Sequence, residues 1–449
     1  MRRPVLPPWS PRLTRRGWVS LVFGVAAAVT AVGVGLHDLF FVAGVLVSAP
    51  LVALGYVWIR PGQVRVTRSF RPSVVAAGGE ALVSLQLRNL SVRPIDGASW
   101  RDSGAPGRGE AQSGPLTARV LPALDRYRVG SETGPDSVRL EYRLTPKVRG
   151  VYSVGPLLLS RRDPLGFAVR HHMVGQPHDL AVTPRVMSLD SSSAASSRGD
   201  GSVRDLLRSL NPMSDELIAR EYRSGDPMRR VNWPATARHG QIMVRQEEQR
   251  SNPEARIILD TTLSGADAGS GRPDRRAVAA FELAITVVAS IGTHLLDAGL
   301  KLQVVETGPS QLAPGAGQNR GGLNGDAPFA CHAIGGDREL LEGLANVVAA
   351  RSVTTPSSAA SSGGSADGGQ LPTFAVLVAL SPEDAARVAA IRNQCQPAIA
   401  FLLETMSPAA RAVIRDAGWL CVDVRSERDI SAAWDDALGR RESTRDDRG

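Results

Sequence analysis

At 449 residues the chain is too long for one ordinary core, and two or three domains are expected. Lys and Arg number 52 against 44 Asp and Glu, a net charge of +8 spread along the whole length, and only 5% of residues are aromatic. A nucleic-acid binder would gather that charge on one face with stacking side chains between, so this class is excluded. The three cysteines, Cys331, Cys395 and Cys421, are far apart, which argues against a disulfide framework and a thiolate zinc site. His171, His172 and His178 have no acidic or cysteine neighbour at ligand spacing and read as surface histidines.

Residues 18–36, "WVSLVFGVAAAVTAVGVGL", and 39–59, "LFFVAGVLVSAPLVALGYVWI", are each close to the length a bilayer core requires, with only His37 and Asp38 between them. A signal peptide would have a shorter apolar run before polar sequence, so a transmembrane helical hairpin is expected. Arg2, Arg3, Arg12, Arg15 and Arg16 precede the first span, and Arg60, Arg65, Arg68 and Arg71 follow the second. The positive-inside rule then places both termini and the soluble domains in the cytoplasm of a two-span cell-membrane protein. Pro50, inside the second span, is expected to kink it.

From residue 62 to 189 short alternating runs are broken by Gly and Pro, as in "EALVSLQLRNL" (80–90), "VRLEYRLTP" (138–146) and "GVYSVGPLLLS" (150–160). This pattern predicts a β-rich, sandwich-like module. Residues 190–204 are a Ser-rich flexible linker, and 205–250 form a dense charged segment. From 251 to 440 apolar runs alternate with amphipathic ones: "ARIILD" (255–260), a helix over 274–298, "LKLQVVET" (300–307), a helix over 337–350 and "TFAVLVAL" (373–380). Three further pieces complete the series: a helix capped by Ser381, "AIAFLLE" (398–404) with a helix over 408–417, and "GWLCVDV" (418–424) with a helix near 429–439. Alternation of this kind predicts a doubly wound α/β domain. Gly- and Ser-rich stretches near 308–327 and 352–370 read as disordered insertions, and 441–449 as a charged tail.

Ligands of open α/β sheets bind beyond the carboxyl ends of the strands. There the chain reads "LDTTLSG", so that Asp260, Thr262 and Ser264 stand at alternate positions leaving a strand. Three oxygen side chains converging this way suit a hard cation such as Mg2+ or Mn2+, with water completing the shell. The same residues also read as a polar loop in which Asp caps the following turn. No G-x-x-x-x-G-K-[ST], H-E-x-x-H or G-x-S-x-G occurs, so P-loop, zincin and nucleophile-elbow chemistries are not encoded.

In the segment "REYRSGDPMRRVNWPATARHGQIMVRQEEQR" (220–250), Gly225 supplies a turn, Asp226 can cap a short helix and Pro227 suits its first position. Pro234 is expected to end that helix and Trp233 to anchor it on a sheet, giving two strands bridged by a helix. Arg220, Glu221, Asp226, Arg229 and Arg238 can form Arg–carboxylate pairs that fix geometry more than they stabilise. Catalysis would require a tuned acid or base in a pocket, and arginines beside Glu221 and Asp226 lower their pKa values instead.

"REYRSGDPMRRVNWPATAR", with its Tyr222, resembles the signature of the bacterial domain-of-unknown-function family 58, and "RGVYSVGPLLLSRRDPLGF" (149–167) resembles that family's upstream hallmark. The resemblance implies a C-terminal part similar to von Willebrand factor A domains and genes lying beside MoxR-type AAA+ ATPases. It also implies a metal site of D-x-S-x-S type, which Asp260, Thr262 and Ser264 match with Thr in place of one Ser, together with a distant Thr and Asp. "VALSPED" (378–384) departs from that pattern, with Ala379 and Leu380 where an acidic ligand belongs; Thr354 or Thr355 would be the distant Thr. The function expected is a membrane-anchored cytoplasmic adaptor that binds a MoxR-type ATPase or its client, with Mg2+ or Mn2+ at the interface. The alternatives are a metal-dependent hydrolase of envelope or phosphorylated substrates joining Asp260 to Glu221 or Asp226, and a structural membrane protein with a degenerate metal site.

Overall fold

The computed structural model describes residues 11–59, 63–104, 118–129, 134–189, 219–222, 228, 231, 233–245, 254–263, 275–312, 329–351 and 370–446. The chain divides into two compact units, Met1–Thr183 and Pro184–Gly449. The first boundary thus falls six residues before the end expected for the β-rich module, and Leu189 joins the core of the second unit.

The first unit opens with β1 (Arg12–Leu13), α1 (Arg15–Val34) and α2 (Asp38–Ile59). Both helices are long and apolar enough to cross a membrane, which gives the chain its membrane-protein reading. Thr14 caps α1 by accepting from the Gly17 amide at 3.2 Å, so this helix starts three residues before the apolar run does. Gly35, at φ 74°, ends it in the left-handed conformation. The buried positions of α1 are small (Gly17, Ser20, Gly24 and Ala31), and this lets the two helices approach closely. Ser20 Oγ donates to the Leu46 carbonyl at 2.9 Å. Pro50 lies within the continuous span of α2.

The remaining strands of this unit are β2 (Val64–Arg71), β3 (Val74–Ala76), β4 (Ala81–Asn89), β5 (Ala98–Gly104), β6 (Arg119–Val120), β7 (Ser137–Leu144), β8 (Gly150–Arg162), β9 (Ala168–Val174) and β10 (His178–Thr183). One sheet runs β2–β4–β7, and the other runs β1–β9–β8–β10–β3 with β5 on β8 and β6 on β5. β4 alternates buried Val83, Leu85 and Leu87 with partly exposed Ser84, Gln86 and Arg88, and residues of both sheets share one core. Within that core Arg68 of β2 makes a two-pronged ion pair with Asp102 of β5, at 2.6 and 3.2 Å, and Tyr142 of β7 donates to the same carboxylate at 2.7 Å. The pair ties one sheet to the other. A Cβ on Gly155, at φ 108°, would stand 2.5 Å from the Arg68 guanidinium, so the bridge also requires glycine there.

The second unit contains β11 (Ala219–Glu221), α3 (Trp233–His239), β12 (Met243–Arg245), β13 (Glu254–Leu259), β14 (Thr262–Leu263), α4 (Arg275–Asp297), β15 (Lys301–Glu306), β16 (Phe329–Cys331), α5 (Gly336–Asn346), β17 (Ala350–Arg351), β18 (Leu371–Leu377), α6 (Pro382–Ala390), β19 (Cys395–Leu403), α7 (Pro408–Asp416), β20 (Leu420–Val424) and α8 (Ile430–Asp446). The main sheet has the order β16–β15–β13–β18–β19–β20, parallel except for β16. Residues of α4, α5 and α8 pack on one face, and α6 and α7 cover the other. Central strands buried on both faces explain the continuous apolar run Ala255–Leu259. Ser381 and Ser407 each cap a helix that has Pro in its first turn, as the sequence predicts for Ser381.

α4 also has the length and apolarity of a span, but the apolar face from Phe281 to Leu296 is buried in the protein core. β16 is an antiparallel edge strand that the alternating pattern did not reveal. α8 runs to Asp446, so the region expected to be a charged tail is helical for most of its length. Residues 308–312, expected to belong to an insertion, are described, with Leu312 in the core; the remainder of that stretch, 313–327, and residues 352–369 lie outside the described residues, as does the linker 190–204.

The Arg68–Asp102 bridge generates a test. Asp102→Ala leaves a buried guanidinium and a buried phenol without their shared acceptor. Denaturation of the full chain in detergent should then show the sandwich losing about 3–5 kcal/mol of stability.

Candidate functional site

In the order of the main sheet, chain direction reverses its walk between β13 and β18, and this is the position where doubly wound sheets open a crevice. Asp260 stands at that point, immediately after β13, with 0% of its surface exposed. One carboxylate oxygen accepts from the Thr262 amide at 3.0 Å, the Thr262 hydroxyl at 3.0 Å and the Thr307 hydroxyl at 3.1 Å. The other accepts from the amides of Val378 and Ala379, both at 2.9 Å. Five donors from three strand ends therefore converge on one side chain. Burial pushes the Asp260 pKa up, and the Ala379, Val378 and Thr262 donors oppose that shift.

The neighbouring hydrogen bonds extend the same edge. Thr307 Oγ1 accepts from the Thr261 amide at 3.1 Å while donating to Asp260, and Thr261 Oγ1 accepts from the Gly308 amide at 3.0 Å. Thr262–Leu263 pairs in parallel with Ala350–Arg351, a small second sheet that fixes the start of the loop. Glu306 is the last residue of β15 and is 3% exposed. It accepts from the Gln311 amide at 2.6 Å and the Leu312 amide at 2.9 Å, and Gln311 is in turn paired with both backbone groups of Val348. Burial pushes Glu306 up to about 7 against the pull of those two amides.

In this structure the Asp260 carboxylate that the resemblance would give to a cation is committed to hydrogen bonds within the protein. A carboxylate offers roughly four lone-pair sites, and five donor protons already occupy them. Direct ligation would have to displace hydrogen bonds that offset the cost of burying the charge. Among the described residues no group of three or more His, Cys, Asp or Glu side chains is placed to hold a metal. Of the expected ligands, Asp260 and Thr262 are brought together, with Thr262 acting as a donor to the carboxylate; Ser264, Thr354 and Thr355 lie outside the described residues. Ala379, noted in the sequence for lacking an acid, contributes its backbone amide.

The charged segment forms a separate small structure. β11 pairs antiparallel with β12, Arg220 opposite Val244 and Glu221 opposite Met243, and the Tyr222 amide donates to the Ile242 carbonyl at 2.8 Å. Thr236 of α3 accepts from the Met243 amide at 3.0 Å, which fastens the helix to the strand that follows it. Two strands bridged by a short helix are thus observed, with one correction. The helix begins at Trp233 with Pro234 in its first turn, while most of the stretch expected to be helical from Asp226 to Pro234 lies outside the described residues. Trp233 is 64% exposed, so it anchors nothing; Val231, bridged to Val244, is the buried residue. Arg238 is exposed on α3, and Gly225, Asp226 and Arg229 lie outside the described residues. Asp260 takes its hydrogen bonds from Thr262, Thr307, Val378 and Ala379, none of them in this segment.

Residues 218–316, spanning this segment, the Asp260 loop, α4 and β15, match the model of a family described as "protein of unknown function DUF58". The chain carries a DUF58 segment. The likeness read from "REYRSGDPMRRVNWPATAR" is borne out there, and the DUF58 match includes both the exposed tryptophan and the buried Asp260. No curated protein matches the chain. Solved structures that match include a solution and a crystal structure of the CARDB domain of a Pyrococcus furiosus protein, the latter in complex with di-metal ions. Each is 12% identical, covers 25% of this chain and 94% or 89% of its own, and has a TM-score of 0.16. A Paenibacillus sp. cycloisomaltooligosaccharide glucanotransferase complexed with cycloisomaltoheptaose is 9% identical over 76% of this chain, which spans 53% of that enzyme, with a TM-score of 0.18. Overlaps of that quality carry no conclusion about the DUF58 segment or the units around it.

Two tests follow from the buried carboxylates. Asp260→Ala strands five donors and should destabilise the second unit by about 3 kcal/mol or more in equilibrium unfolding. For Glu306 the folded pKa lies above the ordinary carboxyl value, so the native state holds its proton longer than the unfolded chain. Stability is therefore full below the unfolded value and falls as pH rises through about 7. The loss is bounded at about 3 kcal/mol. Glu306→Gln should flatten that stretch of a stability-versus-pH curve.

Proposed function

We propose that the protein is a membrane-anchored adaptor whose second unit engages a protein partner, a MoxR-type AAA+ ATPase or its client. The observation that carries this reading is the display of Trp233. A tryptophan in the signature segment stands largely in solvent, with exposed Met228 and Ile242 and the rim residue Tyr222 belonging to the same segment. Large aromatic side chains held out by a fixed hairpin are the usual anchors of protein interfaces. The hairpin of α1 and α2 supplies the anchor, and the arginines flanking it favour a cytoplasmic position for both termini.

The strand order of the main sheet, with its antiparallel edge, supports an A-like reading of this domain. Asp260 supports a particular version of it. The position that holds a cation in the A-domain pattern is here turned inward as a staple, so recognition through the signature surface is favoured over recognition through a shared metal ion. No observation favours a hydrolytic role for Asp260, whose oxygens face donors on every side.

The test is binding of the full chain in detergent to nucleotide-free MoxR-type ATPase from the same genome, in magnesium and in EDTA. Binding is expected in both, and absence of binding in both sinks the proposal. Trp233→Ala should weaken the complex about tenfold or more, as truncating an interface anchor does. Its thermal unfolding should stay unchanged, because the side chain is exposed. Binding that disappears in EDTA would restore the cation to the interface.

A further inference from the structure

The turn Asp163–Phe167, part of the upstream hallmark, sits against the start of α1. The Thr14 amide donates to the Phe167 carbonyl at 2.8 Å, and the Thr14 hydroxyl donates to the Gly166 carbonyl at 2.6 Å. A Cβ on Gly17 would stand 2.3 Å from the Phe167 oxygen, so only glycine allows the approach. Asp163, buried, accepts from the amides of Leu165 and Ala168 and holds the turn in shape. On the α2 side Arg170 donates to the Trp58 carbonyl at 3.1 Å, and Ala53, Val57 and Ala168 form a small apolar cluster. The sandwich is therefore fastened to the end of the hairpin where the chain enters and leaves it. Leu165, at the tip of the turn, is 62% exposed.

From this attachment the outward face of the sheet can be read. Trp100 and Asp102 are buried, which turns Arg101 outward; Leu157 and Leu159 are buried, which turns Leu158, Ser160 and Arg162 outward. The register sets Arg101 opposite Leu158, His171 opposite Ser160, and Val169 opposite both Arg162 and Arg12. Arg12, Arg101 and Arg162 thus surround His171, whose Nδ1 lies 2.8 Å from Ser160 Oγ. Burial depresses the His171 pKa first, and the fields of Arg12, Arg101 and Arg162 depress it further, an electrostatic signature of three converging guanidinium groups. Arg15 and Arg16 are exposed in the first turn of α1, and the Arg16 guanidinium reaches the turn at Gly166. Arg15, Arg16, Arg101 and Arg162 make no ion pair with any described carboxylate.

We infer that this outward face of the sandwich, ringed by Arg12, Arg101 and Arg162 around His171, binds the phosphate-bearing headgroups of anionic phospholipids beside the hairpin. The inference rests on the membrane-anchored reading. Charge complementarity and continuity with the hairpin select the occupant. Arg162 and Arg12 stand within a few residues of the helix entry, and Arg101 lies four strand positions farther along, roughly 13 Å at 3.3 Å per residue. That spacing carries the basic face along the sheet away from the end of the hairpin, with exposed Leu165 on the turn beside that end.

The experiment is native mass spectrometry of the full chain in detergent, titrated with phosphatidylglycerol, phosphatidylcholine or inorganic phosphate. Phosphatidylglycerol should bind preferentially, and Arg101→Gln/Arg162→Gln should weaken it about 25-fold, taking roughly fivefold for each arginine near an anionic surface. Equal binding of phosphatidylcholine, or unchanged phosphatidylglycerol binding in the double variant, overturns the inference. Inorganic phosphate binding as tightly as the lipid overturns the lipid source. Flotation with vesicles separates the two readings: a chain that does not float refutes the anchor, whereas one that floats without phosphatidylglycerol preference refutes only the headgroup site.

Discussion

A carboxylate sealed from water is the constraint around which the second unit is arranged. Asp260 places its carboxyl group at a position with no solvent exposure, and such a group is tolerated only where hydrogen bonds replace the lost hydration. The donors come from the ends of β13, β15 and β18, so the carboxyl edge of the sheet cannot open at its centre without exposing that group. Thr261 and Gly308 lie so close that a Cβ on Gly308 would meet the Thr261 hydroxyl at 2.7 Å, which shows how tightly the edge is drawn together. A crevice that other doubly wound proteins use for ligands is here filled by the protein's own hydrogen bonds.

The same solution recurs in different chemical settings. Asp102 is met by a guanidinium and a phenol, Asp163 by two amides of its own turn, and Glu306 by two amides of the segment after β15. Each buried acid fixes a place where one element must be held against another: sheet to sheet, turn to helix, strand to loop. Among the described residues Glu306 meets two neutral amide donors, and burial prevails over them, so that its proton is held to about 7.

Much of the architecture was legible because periodicity is a local property. The alternation of "EALVSLQLRNL", the apolar run ending at Asp260 and the Ser-Pro start at 381–382 each determine their element without distant information. The site was legible only in part. "LDTTLSG" pointed to Asp260 and Thr262, which do meet, but a cation and a set of amide protons ask for the same carboxylate. Which one it meets depends on Thr307, Val378 and Ala379, far along the chain. Trp233-Pro234 was legible only in part, since Pro234 also suits the first turn of a helix that runs on to His239. Glu306 gave no signal, because an acid at a strand end is ordinarily solvated and only the return of residues 311–312 encloses it.

Gly17 and Thr14 have a mechanical consequence. With the backbone of α1 pressed against the Phe167 carbonyl and Arg170 holding the end of α2, the hairpin and the sandwich share a short, stiff joint on both helices. A helix pair that tilts to match a thinner or thicker bilayer must then swing the sandwich through the same angle. A tilt of either helix would thus be passed on to the sandwich through the joint and not absorbed there.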